Sequence, residues 1–195
     1  MPHVDTKSRI IEAADDLFYR QGYDHTSFAD IAASVGLSRG NFYYHFKTKD
    51  EILAGVIAHR LDKTRALLAD WERSADAPVT RILSFIDILI MNRSRIAAYG
   101  CPVGTLCSEL AKLDHALQAE AGKLFTLFRD WLARQFAALG LGDRSHTLAM
   151  QLLSRSQGAA TLAQAFHDET FLRSEVAEMR RWLSELIEKS EVPCS

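Results

Sequence analysis

The sequence predicts an all-α protein, and three observations lead there. Only four prolines and ten glycines punctuate 195 residues. Apolar side chains recur at spacings of three and four, and no run of β-branched residues alternates with polar ones over the length a strand needs. The first helix follows Asp5 or Thr6 as cap, carries Ile10, Ala14, Leu17 and Phe18 on one face, and stops near Gly22. A short second helix opens at Thr26-Ser27, where Ser27 and Asp30 have capping-box spacing, and ends before Gly36. A third starts at Ser38. Thr48-Lys49-Asp50-Glu51 is a T-x-x-E box opening a long helix through Ile52, Leu53, Val56, Ile57, Leu61 and Leu67 to about Arg73.

Pro78 suits the first position of the next helix, Val79 to about Ala98. The segment Gly100-Cys101-Pro102-Val103-Gly104 interrupts the pattern and leads into a short helix ending near Leu113. Asp114 is the expected cap of a long helix carrying Leu117, Leu124, Phe125, Phe128, Trp131, Leu132 and Phe136, closed by Gly140-Leu141-Gly142. The last two helices run from about Ser145 to His167 and from Asp168 to Ser190. That makes about nine helices, with no internal repeat and no low-complexity segment.

Composition excludes several classes. With 48% hydrophobic residues and a formal net charge of −2, the chain is neither fibrous nor disordered. No segment reaches the roughly 18 uninterrupted apolar residues of a membrane span; the stretch from Ile82 to Met91 is broken by Ser84 and Asp87. Cys101, Cys107 and Cys194 are an odd set, unsuited to a closed disulfide framework. Met1 to Lys7 is polar where a signal peptide has an apolar run. The expectation is a cytoplasmic protein without a membrane partner. A pI of about 6.4 offers no bulk hint of nucleic acid, which usually shows as a basic excess.

The local pattern points the other way. Residues 26 to 49, TSFADIAASVGLSRGNFYYHFKTK, hold the spacing of a helix-turn-helix. Ala32 and Gly36 stand four apart, a small residue at the crossing and a flexible turn after it. Ile31, Val35, Leu37 and Phe42 supply apolar contacts. Ser38 then starts a helix whose first residues, inserted into a major groove, face base edges. Arg39 suits a bidentate pair with guanine and Asn41 one with adenine, with Gly40 between them. Thr26, Ser27, Tyr43, Tyr44, His45, Lys47 and Lys49 are the hydroxyl, ring and cationic groups that hold phosphates. Residues 37 to 49 carry three cations, Arg39, Lys47 and Lys49, and no acid, although the first 50 residues carry six Lys/Arg against seven Asp/Glu.

On these residues the first 55 or so positions resemble the DNA-binding domain of TetR-type transcriptional regulators. The signature stands in Gly22, Thr26, Ile31-Ala32, Gly36-Leu37-Ser38, Gly40, Phe42-Tyr43, His45-Phe46, Lys49 and Leu53. The resemblance implies a three-helix DNA-binding head over residues 1–50 and a helical ligand-binding and dimerisation domain over 51–195. It implies a homodimer on a palindromic operator, usually a repressor released by a small molecule. It places Arg39, Gly40 and Asn41, beside Ser38, where family members read bases, and Thr26, Tyr43, Tyr44, His45 and Lys49 where they hold backbone. The long helix opening at Thr48 is the expected link between sensor and head.

The second half suggests how two copies meet. Leu172, Val176, Met179, Leu183 and Leu186 form a seam at spacings of four and three, and Gly158-Ala159-Ala160 permits close approach, so the last two helices are the expected dimer surface. Phe85, Phe128 and Trp131, with Leu89, Phe125 and Phe136, are readable either as the lining of an apolar pocket or as plain core. The segment from Gly100 to Leu110 is similar to the G-C-x-x-G-x-L-x-x-E-L segment of a subset of TetR-like regulators, some of which sense electrophiles or oxidants through the equivalent cysteine. Cys101 is then either a reactive sensor at a helix start, its thiolate favoured by the helix dipole, or a structural thiol. Two thiols and the distant His115 make no metal site, and no cofactor is expected. Two further readings are a thiol-dependent enzyme using Cys101 with His115 as base, which lacks an orienting third residue, and a helical small-molecule carrier.

Overall fold

The computed structural model describes residues 5–191, and Cys194, expected in a polar tail, lies outside them. The described residues contain no strand. Ten α-helices follow one another: α1 (Thr6–Gln21), α2 (Phe28–Ser34), α3 (Arg39–His45), α4 (Lys49–Ser74), α5 (Pro78–Met91), α6 (Arg93–Tyr99), α7 (Pro102–Lys112), α8 (Gln118–Ala138), α9 (Ser145–Phe166) and α10 (Glu169–Glu191), with a 3₁₀ turn at Gly142–Arg144 before α9.

The all-α reading holds, and its one change in count arises at Asn92. The single helix expected from Val79 to Ala98 is two, α5 and α6, because Asn92 leaves helical geometry (φ −107°, ψ 13°) and turns its Nδ2 back onto the Ile88 carbonyl at 2.9 Å. A side-chain amide competing with the helix ladder in this way is a known source of local breaks. Caps differ in detail as well. Ser27 and Asp30 close a full capping box before α2, and Asp168 Oδ1 accepts the N–H groups of Thr170 and Phe171 before α10. Asp5 stands at the start of α1 without a side-chain cap bond. Asp114, the expected cap of α8, instead lies in the turn closing α7 at φ +47°. His115 takes over the opening of α8, its Nδ1 accepting the Leu117 N–H at 3.1 Å.

The chain divides into two compact units that interleave in sequence: residues 1–64 with 102–124, and residues 65–101 with 125–195. In the first, Ile10, Ala14 and Phe18 of α1, Ile31 of α2, Phe42 of α3, Ile52, Leu53 and Val56 of α4, and Leu106 and Leu110 of α7 form a buried apolar centre. In the second, Ile82, Phe85 and Ile86 of α5, Trp131, Leu132 and Phe136 of α8, Leu148 and Leu152 of α9 and the seam of α10 share one core.

That seam is a correction. Leu172, Val176, Met179, Leu183 and Leu186 are all at most 8% exposed within the single chain, packed on α5 and α9. A heptad of apolar residues shows that one face of a helix is covered without saying by what. The face of α9 left open carries Met150, Ser154, Gly158, Leu162 and Phe166, each four residues from the last and each exposed. No helix among the described residues is long and apolar enough to cross a membrane.

Candidate nucleic-acid interface

The turn between α2 and α3 depends on Gly36, whose φ of +67° is a left-handed geometry that favours glycine. Through it, the N–H groups of Gly36 and Leu37 reach back to the carbonyls of Ala33 and Ala32, and Ser38 Oγ accepts the Asn41 N–H to open α3. Phe42 is fully buried and meets Phe28 edge to face at 4.7 Å. With Phe42 anchored, the next residues of α3 turn outward. Tyr43 leans on Phe28 at 5.0 Å while staying 49% exposed, and Tyr44 is 80% exposed.

The expected contact residues differ in what the structure leaves them free to reach. Gly40, Asn41, Tyr43, Tyr44 and Lys47 are exposed and His45 is half-buried; the Arg39 backbone belongs to α3, and its side chain lies outside what is described. Ser27 and Ser38 are exposed, and each hydroxyl oxygen accepts a backbone N–H as a helix cap while keeping its O–H to donate. Thr26 is a correction: it is fully buried, donating its hydroxyl to the Gly22 carbonyl at 2.6 Å and accepting from Gln21. A side chain so enclosed braces the head and does not reach a phosphate from this position. Lys47 Nζ donates to the Tyr43 carbonyl. Lys49 Nζ donates to the Tyr23 carbonyl at 2.9 Å and stands 4.2 Å from the centre of the Tyr23 ring.

Tyr23 is the residue that sequence reading passed over. Its phenol donates to Asp50, and His115 Nε2 approaches the same oxygen at 3.3 Å. Both His115 ring nitrogens are thereby engaged, so it does not serve as a base for Cys101 in this arrangement. Burial, and then the bond to Asp50, push the Tyr23 phenol well above its ordinary value of 10.0. The same bond, helped by His115 and Lys49, lowers the exposed Asp50 carboxyl against a slight desolvation. A group raised on folding stabilises the fold below its unfolded value and loses that contribution as pH climbs through the folded one. One phenol of the native protein is therefore expected to ionise only well above pH 10 in an alkaline absorbance titration, with stability declining over that window. Tyr23→Phe should abolish the late step and flatten the decline; a late step that survives assigns it to another tyrosine.

In the second unit, Phe85 and Phe128 meet at 5.6 Å and Trp131 meets Trp71 at 5.5 Å. Trp131 is fully buried, and its indole N–H has no hydrogen-bond partner among the described residues. Cys101 is half-buried and directly precedes α7. Among the described residues no group of three or more His, Cys, Asp or Glu could hold a metal ion.

The comparisons with known proteins agree with this geometry. Residues 10–56 match the family described as bacterial regulatory proteins, tetR family, and residues 78–178 match the C-terminal domain of LmrA/YxaF-like transcriptional regulators. An uncharacterized HTH-type regulator from the lacX 3′ region of Lactococcus lactis subsp. lactis is 29% identical over 87% of this chain and 89% of its own length. The HTH-type transcriptional repressor DhaR of Mycobacterium sp. (strain GP1) is 24% identical over 68% of this chain and 64% of its own. The crystal structure of a TetR transcriptional regulator from Legionella pneumophila superposes with a TM-score of 0.82, at 30% identity, covering 95% of this chain and 99% of that one. Both halves therefore agree: the chain belongs to the TetR family of DNA-binding transcriptional regulators, with a C-terminal domain of the LmrA/YxaF-like type.

Proposed function

We propose that the protein is a homodimeric repressor that binds a palindromic operator through α3 and lets go when a small molecule binds its second unit. The observation that carries the DNA part is the outward cluster of Gly40, Asn41, Tyr43, Tyr44 and Lys47 around the anchored Phe42. Asn41, with Arg39, reads bases; Tyr43, Tyr44, His45, Lys47 and the spare donor capacity of Lys49 hold phosphates. The word repressor follows the similarity to DhaR.

Dimerisation rests on the open stripe of α9. Met150, Leu162 and Phe166 are 50%, 44% and 71% exposed, and the place of a Cβ on Gly158 has no atom within 4 Å. A shallow groove of about 470 Å³, lined by His146, Thr147, Met150, Gln151 and Ser154, continues the same face. A second copy of α9 fits these features through an isologous contact, and a dimer reading both halves of a palindrome needs its two α3 helices about 34–36 Å apart or a multiple of it.

For the inducer, the unpartnered Trp131 N–H is the informative group. Leaving such a donor unpaired in a core costs about 1–3 kcal/mol, so an apolar molecule bearing an acceptor atom, lying among Phe85, Phe128 and Trp131, gains by supplying it. Such a ligand must favour the DNA-free state to cause release. A second reading, favoured by the half-buried position of Cys101 at the start of α7, is an electrophilic inducer that alkylates this thiol. Mobility-shift assays on the DNA beside the protein's own gene test the function: a complex that survives excess unrelated duplex is expected, and binding indifferent to sequence sinks the reading. Repeating the assay after N-ethylmaleimide, with Cys101→Ser as control, separates the inducers. Release that the substitution prevents supports the thiol, and unchanged affinity of the alkylated protein removes it.

A further inference from the structure

Glu109 lies in the part of the sequence that reads as ligand domain, yet both its oxygens are spent on the head. Oε2 accepts the Tyr23 N–H and Oε1 the Asp24 N–H, each at 2.9 Å, across 86 and 85 residues of chain. The turn they hold joins α1 to α2. Its other groups are held as well: the Tyr23 and Asp24 carbonyls accept from Lys49 at 2.9 and 3.4 Å, and Thr26 closes on the Gly22 carbonyl. Two amide N–H groups on one carboxylate are charge-assisted bonds, stronger than neutral ones.

The approach has left its mark on the sequence. Gly22 has φ +90°, and a Cβ built there would stand 2.9 Å from Glu109 Oε1. The backbone geometry favours glycine, and a side chain at this position would push the Glu109 carboxylate aside. At its other end α7 is tied again, since Arg60 Nη1 donates to the Pro102 carbonyl at 2.5 Å while its Nε pairs with Asp15 of α1 at 2.6 Å. Residues 102–124 accordingly pack as one unit with residues 1–64. A local residue at a turn can cap it without linking it to anything. A carboxylate delivered by α7 makes the entry to α2 and α3 depend on where α7 sits.

We propose that Glu109 is a positioning residue for operator binding: through the Tyr23–Asp24 turn, α7 sets how α2 and α3 are presented to DNA. The proposal rests on the operator-binding reading above. Glu109→Gln tests it, because the amide keeps the size but offers one acceptor oxygen and turns an N–H₂ toward the second donor. The probe is a duplex enriched by the wild-type protein from a random-sequence pool. Affinity of Glu109→Gln for that duplex is expected to fall by about 10- to 100-fold, the loss of one charge-assisted bond, while binding to unrelated duplex at low salt is unchanged. Hydrogen exchange at the Tyr23 and Asp24 amides should quicken, with that of α9 and α10 unaltered. Should Glu109→Gln not fold, Glu109→Asp keeps the charge, draws the carboxylate back by one methylene, and is expected to show the same split to a smaller degree. Equal operator affinity in a folded variant, or amides exchanging at the wild-type rate, overturns the proposal. Failure of the wild-type protein to enrich any sequence instead overturns the operator-binding reading beneath it.

Discussion

Arg60→Ala is expected to destabilise the DNA-binding unit by about 3–5 kcal/mol, the range for removing one partner of a buried ion pair. The Arg60 side chain is 9% exposed and that of Asp15 22%, so truncation leaves a carboxylate in a largely dry setting and also frees the Pro102 carbonyl. Water can reach the partly open Asp15, which pulls the figure toward the lower end of that range. The aliphatic stem of Arg60 adds a packing loss of its own. The sign depends on what replaces the pair. Arg60→Met with Asp15→Leu removes both charges and restores volume, and buried pairs exchanged in this way often come out neutral or better. Urea unfolding of the single and double variants checks both halves of the argument: a single variant costing under about 1 kcal/mol, the range of an exposed pair, would show that this bridge carries little.

The head was legible in sequence because its determinants are local. Gly36 at a left-handed turn, Ser27 and Ser38 at caps, and Phe42 beneath the exposed tyrosines are all fixed by neighbours within a few positions. Long-range facts were not legible. Nothing in a single sequence pairs Glu109 with Tyr23, although the glycine at 22 and the glutamate in the segment after Cys101 were both visible. Thr26 shows the limit of reading by residue type, since a hydroxyl suited to phosphate serves equally well inside a turn. At Asn92 the apolar pattern runs on through Ile88, Leu89 and Ile96, so periodicity alone carries the helix across a break made by one side-chain amide. By residue type His115 suits base chemistry beside a thiol, whereas its ring nitrogens are engaged by Leu117 and Tyr23.

The seam on α10 is the costliest of these ambiguities, because it decides where a partner copy docks. The two alternatives predict opposite outcomes for one kind of substitution. Leu162→Arg places a charge on the open stripe of α9, where the inward neighbours Ala159, Ala160 and Ala163 are untouched. In an isologous interface each residue occurs twice, so two guanidinium groups meet in a surface about to lose its water, and like charges so placed cost several kcal/mol. The variant is expected to remain folded, with monomer stability within about 0.5 kcal/mol, as for ordinary surface changes. It should sediment near the chain mass of 21.9 kDa at micromolar concentration and lose operator affinity by about 100-fold or more, since a single half-site forfeits the specific contacts of the other. Leu183→Arg, on a residue 1% exposed inside the chain's own core, should unfold the protein instead of dissociating it. A dimer that withstands Leu162→Arg would move the interface off α9, and a folded monomer from Leu183→Arg would return it to the α10 seam.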